Sequence, residues 1–198
     1  VQSMTNTDTA DIEGTARQIA ADVRPGLMEV FLAEYGLSTE EGIALMCLAE
    51  ALLPDQERVS GPDYPGTLTI RNNIAHWTGD CGNPREALRL FQELLPNQER
   101  ILGADHPDTL KTRSNIALWT GNSGDAREAL RLAEALLTDE ARVLGLGHPN
   151  TLTLRNNIAH WTGDCGNPRE ALRLFQELLP DQERILGADH PDTLKTRS

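Results

Sequence analysis

Positive charge, long apolar runs and cysteine are all scarce in this sequence. Lys and Arg together number 18 against 30 Asp and Glu, a net charge of −12 over 198 residues. Phosphate binding relies on clustered Lys and Arg, so nucleic acid is excluded as an expected partner. No apolar run approaches the roughly 18–20 residues that span a bilayer. The start also lacks the basic-then-apolar pattern of a secretory leader. Neither a membrane partner nor export is therefore expected. The three cysteines, Cys47, Cys81 and Cys165, form no CxxC pair. An odd, sparse set fits a reducing, cytoplasmic setting better than a disulfide framework. His76 precedes Cys81 by five residues, as His160 precedes Cys165. That spacing matches no zinc motif, and no metal or cofactor is expected.

The acid that is present is unevenly spread. Residues 1–53 hold nine acidic and two basic side chains, more than half of the net charge. Two segments of different origin would give this asymmetry, as would one solvated acidic face. Val1, Gln2 and Ser3 stand ahead of Met4 as the remnant of an expression tag would, and residues 1–10 are read as such a remnant and a flexible start.

The strongest signal is an internal period. Thr67-Leu68, Thr109-Leu110, Thr151-Leu152 and Thr193-Leu194 recur every 42 residues. Each opens a unit TLxxRxNIAxWTG, then a short turn, REALRL, and a tail ending in HPD or HPN. Residues 67–114 and 151–198 are identical at 46 of 48 positions, differing only at Ile70/Leu154 and Asn97/Asp181. Recent duplication or deliberate construction leaves such identity; long divergence would have changed the solvent face.

Each unit predicts two antiparallel helices, so the fold class is all-α. The first runs from about Thr109 to Thr120, with Asp108 or Thr109 as its cap after Pro107. The Gly121–Gly124 stretch ends it, because Gly accepts the left-handed conformation of a helix terminus. The second opens near Asp125, or at Pro84 and Pro168 in the sister units, where a first-turn proline loses no hydrogen bond. Its apolar stripe is Ala87, Phe91, Leu94, Leu95, Ile101 and Leu102. Pro96 and Pro180 fall inside it and should kink or break it; Thr138 takes their place in the middle unit. A single pair cannot bury its own apolar faces, so stability must come from stacking.

Ile74-Ala75, Ala87 and Phe91 stand at the spacings of the small and large packing positions of a tetratricopeptide repeat. The 42-residue period and the GADHPDT linker resemble the longer repeat of kinesin light chains and of many actinobacterial regulators, over residues 54–198. The resemblance implies a right-handed α-solenoid of helix pairs whose first helices line a concave peptide-binding face. In such repeats the position of Asn73, Asn115 and Asn157 faces that groove, where an amide pairs with a peptide backbone. A structural hydrogen bond to a neighbouring loop is the competing role. Asn72 and Asn156 are weaker versions of the same case, and Lys111 is a candidate for acidic ligand groups. His76 and His160 alternate with Leu118 on or near the same face, with no nucleophile or carboxylate placed to complete a catalytic set. Trp77, Trp119 and Trp161 read as core, and Arg71, Arg113 and Arg155 as ion-pair or cap residues.

Residues 11–53 lack the period. Helices are expected over 11–23 and 25–35, and a third from about Thr39, where Ser38 and Glu41 form a capping box. The run LAEYGLSTEEGIALMCLAEALL resembles the helical region ahead of the barrel in bifunctional proline utilisation flavoenzymes. It implies an accessory, oligomer-forming segment without the flavin-binding barrel, and so no proline oxidation. The string LAEALL occurs at 48–53 and again at 132–137, a natural place to join two helical proteins. The expected function is a non-catalytic scaffold for self-assembly, an engineered fusion forming a homo-oligomer. Leu27, Val30, Phe31, Tyr35, Leu178 and Leu179 are its expected contacts, with Leu178 and Leu179 on an apolar edge left uncovered beside the truncated last repeat. The alternative is a natural peptide-binding adaptor in bacterial signalling.

Overall fold

A computed structural model describes residues 39–197. The helices expected over 11–23 and 25–35, and the candidate contacts Leu27, Val30, Phe31 and Tyr35, lie outside the described residues. Eight helices and no strand occur among the described residues. They fall in two compact units, the first ending at Ile74 and the second running from Ala75.

The first unit contains α1 (Thr39–Ser60) and most of α2 (Pro65–Asp80). Helix α1 begins where the Ser38–Glu41 pattern places it and passes through Pro54 without interruption. Gly61, with φ of 92°, turns the chain after it. The Thr67 hydroxyl then donates to the Gly61 carbonyl at 2.9 Å, and Arg71 donates to Glu57 at 2.6 Å. These two bonds tie the start of α2 to the end of α1.

The second unit continues from the end of α2 through α3 (Pro84–Ile101), α4 (Pro107–Asn122), α5 (Ala126–Val143), α6 (Pro149–Asp164), α7 (Pro168–Ile185) and the short α8 (Pro191–Arg197). It is an all-α solenoid: α4 pairs with α5 and α6 with α7, while α3 packs on α4 and α5 on α6. Burial comes from the expected stripe. Ala87, Phe91 and Leu94 are buried in α3, and Ala129, Ala133 and Leu136 hold the matching places in α5.

Three local expectations are corrected. The first helices start earlier than read, because His106 and His148 are the caps. Each extended histidine accepts through Nδ1 from the backbone two residues on, at 3.2 Å, with proline at the first helical position. The prolines do not break the second helices, which run continuously through Pro96 and Pro180. Both rings lie on the exposed face, while Leu94 and Gln98, or Leu178 and Gln182, stay buried on the other side. Docking of that face outweighs the lost backbone bond.

The third correction concerns the glycines that close the first helices. Gly124, with φ of 103°, is the terminator, but Gly121 lies inside α4. A Cβ there would stand 2.5 Å from Trp161 Nε1, and one on Gly79 would stand 2.3 Å from the Trp119 ring. Each glycine is a notch that lets the next repeat's indole sit against the helix backbone. Trp119 and Trp161 are accordingly buried, as a core role requires, while Trp77 is partly exposed.

Candidate functional site

The first helices carry the residues expected to meet a ligand. Asn73 is half-buried in the first unit; Asn115 and Asn157 are half-buried in the second. The Asn115 amide nitrogen is buried with no hydrogen-bond partner. Asn72 is buried, and Asn156 accepts from the Thr196 hydroxyl at 3.3 Å. This contact gives Asn156 a structural partner on α8. Lys111 is exposed.

Each of the two candidate histidines has a carboxylate beside it. His76 Nε2 lies 3.4 Å from Asp80, and His160 Nδ1 lies 3.1 Å from Asp164, one turn on in each helix. The His76 ring meets Trp77 and Trp119 edge-on, with centroids 5.9 and 6.1 Å away. Imidazole and indole here combine hydrogen-bonding capacity with flat apolar contact. Among the described residues no group of three His, Cys, Asp or Glu is placed to hold a metal ion. A shallow cavity of about 560 Å³ opens at the turns, lined by Gly82, Asn83, Pro84, Glu86 and Ser123 among others. None of the expected ligand contacts lines it.

The arginine series is structural. Arg113 donates to Asp139 at 2.9 Å and Arg155 to Asp181 at 2.8 Å, each joining a first helix to the second helix of its own pair. The Arg155 guanidinium holds the Asp181 carboxyl below the usual carboxylate range. Arg142 reaches from α5 to Asp105, in the linker before α4, at 2.6 Å.

The expected contacts at the far end of the array divide. Leu178 is only 1% exposed, so its own chain covers it and it offers no surface. Leu179 is half-buried. The large apolar side chains that are open there are Leu172 and Leu194, at 58% and 47%. Sequence reasoning passed over both, although their counterparts Leu88 and Leu110 mark the positions that a following repeat covers.

One buried group was also missed. Glu140, near the end of α5, is fully buried. Gln98 and Gln182 hold the same place in the other repeats. Neither carboxylate oxygen makes a well-formed hydrogen bond. Burial pushes the carboxyl up to about 7, offset only in part by the Thr151 hydroxyl beside it and by Arg113.

Stacked antiparallel helix pairs, bound to one another through a glycine–indole seam and carrying polar residues on the first helices, define a helical-repeat interaction protein. Models described as tetratricopeptide repeat match residues 67–139 and 151–192, together more than half of the chain. The chain belongs to the tetratricopeptide repeat family, whose fold is non-catalytic. Solved structures agree on the fold. A Podosopora anserina protein of nearly identical TPR-like repeats is 20% identical, with a TM-score of 0.63, covering 95% of this chain and 81% of that one. BtubC from P. vanneervenii is 16% identical, with a TM-score of 0.64 and coverages of 91% and 76%. Bacillus thuringiensis PlcR, solved with a peptide and DNA, is 14% identical, with a TM-score of 0.56 and coverages of 94% and 67%.

The beginning of the chain has a different relative. A model described as the DNA-binding domain of proline dehydrogenase matches residues 27–80. The bifunctional protein PutA of Klebsiella aerogenes and that of Salmonella typhimurium are each 50% identical over 46 residues. That match covers 22% of this chain and 4% of either PutA. The matched part is not the enzyme part. Its description as DNA-binding stands against the exclusion of nucleic acid drawn from charge. Within residues 27–80 the sequence has nine acidic and two basic side chains, the latter Arg58 and Arg71.

Proposed function

We propose that this chain is a self-assembly scaffold, a homo-oligomer built by fusing a PutA-like helical segment to a tetratricopeptide array and working in a reducing, cytoplasmic setting. The observation that carries the reading is the junction itself: a stretch that matches PutA over 46 residues runs directly into tetratricopeptide repeats. Oligomers of a single kind of chain are most often symmetric. Support for an engineered fusion comes from the identity of 46 of 48 positions between two repeats and from the shared LAEALL string.

Absolute mass by light scattering, over about a hundredfold range of concentration, tests the reading. A mass fixed at an integer multiple of the chain supports it, and a monomer throughout sinks it. A second reading, a natural peptide-binding adaptor, is favoured by the half-buried asparagines that recur once per repeat at Asn73, Asn115 and Asn157. In that case their replacement by Ala lowers peptide uptake and leaves the mass unchanged. Titration with duplex DNA at low salt tests the remaining partner class; the acidic balance predicts no binding.

A further inference from the structure

Each seam between successive repeats of the second unit buries the same polar pair. Gln98 and Thr109 occupy the α3–α4 seam, Glu140 and Thr151 the α5–α6 seam, and Gln182 and Thr193 the α7–α8 seam, with every one of the six at most 1% exposed. The outer seams are neutral. Only the middle one contains an ionisable group, at a place its sister repeats fill with the neutral isostere.

The surroundings of Glu140 hold little that would stabilise a charge. Its backbone carbonyl accepts from Leu144 and Gly145, which places the side chain in the last turn of α5. The negative end of the helix dipole lies there and opposes a carboxylate. From α4 the facing charged group is Arg113, and its guanidinium is already engaged by Asp139, the acidic neighbour of Glu140 on α5. From α6 the facing group is the Thr151 hydroxyl. Burying an unpaired charge in such a place is costly, and the group holds its proton instead.

We propose that the α5–α6 seam is a pH-sensitive joint: closed while Glu140 is protonated, and loosened, so that α6 to α8 part from α4 and α5, once the carboxylate forms. The sign follows from proton counting. The carboxyl is ionised in the unfolded chain above its ordinary value of 4.5 but keeps its proton in the folded chain up to about 7. Between those values the folded state binds more protons, so stability is greatest at the acid end and falls as pH rises through the window. This is opposite in sign to the behaviour of ion-paired carboxylates such as Asp181.

Hydrogen exchange of the intact chain, corrected for the intrinsic effect of pH, tests the joint. In the wild type the opening of α6 and α7 amides should rise by on the order of tenfold between about pH 5.5 and pH 8. Glu140→Gln, which installs the side chain of both sister seams, should abolish that rise. Gln98→Glu should create a second one at the α3–α4 seam. A rise that persists in Glu140→Gln overturns the proposal, as does one spread evenly over α3 to α7. Failure of Gln98→Glu to fold even at about pH 5.5 also overturns it, because a protonated glutamate is close in shape to the glutamine it replaces.

Discussion

Residues 75–114 and 159–198 are almost the same sequence in two surroundings. Phe91 is fully buried, while its counterpart Phe175 is partly exposed. Leu110 is fully buried and Leu194 is 47% exposed. Gly121 lies under an indole, whereas a Cβ on Gly163, at the same place in the next repeat, would meet only the Ala171 methyl, at 3.5 Å. Burial in a repeat array is thus a property of the neighbour as much as of the residue. The identical side chain contributes more to stability where a neighbouring repeat covers it.

Substitutions at equivalent positions separate those two surroundings. The largest difference should come from the aromatic pair. Phe91→Ala is expected to lose about 3–5 kcal/mol, the usual effect of emptying a buried aromatic site. Phe175→Ala should lose less than half as much, as read from urea unfolding. Next come the glycines. Gly121→Ala forces its methyl into Trp161 and should cost about 1–3 kcal/mol. Gly163→Ala meets no such obstacle and should stabilise the protein by up to about 1 kcal/mol through helix propensity alone. Equal effects of the two alanines would dissolve the comparison. The smallest difference is expected at the exposed pairs of Arg89 with Glu86 and Arg173 with Glu170. Replacing either arginine by Gln should leave the thermal midpoint within error, because solvent and salt screen both.

Much of this architecture was legible beforehand. The 42-residue period and the alternation of first and second helices could be read because duplication left the repeats nearly unchanged. The Ser38–Glu41 pattern marked the start of α1, and Asp125 marked that of α5, where it accepts from the Glu128 amide at 3.0 Å. What escaped depended on tertiary neighbours. Histidine is outside the usual set of caps, so His106 and His148 gave no signal. Gly121 read as a helix stop because only the packed structure brings Trp161 over it. Glu140 gave no signal in the sequence, and its burial arises only when the helices pack. The candidate binding residues were chosen by their recurrence and by the resemblance to tetratricopeptide repeats, and the α8 contact that engages Asn156 could not be seen from spacing.

The single difference between α3 and α7, Asn97 against Asp181, bears on how this fold is reached. During synthesis or refolding, α4 meets the same docking bed twice, once on the helix just before it and once on α7 of any other chain. Tethering makes the first encounter far more frequent in dilute solution, but the advantage shrinks as chains crowd together. Concentrated refolding should therefore trap intertwined chains with native-looking seams between the wrong partners. Near-perfect repetition makes each joint easy to satisfy and, for the same reason, makes the choice of partner a matter of concentration.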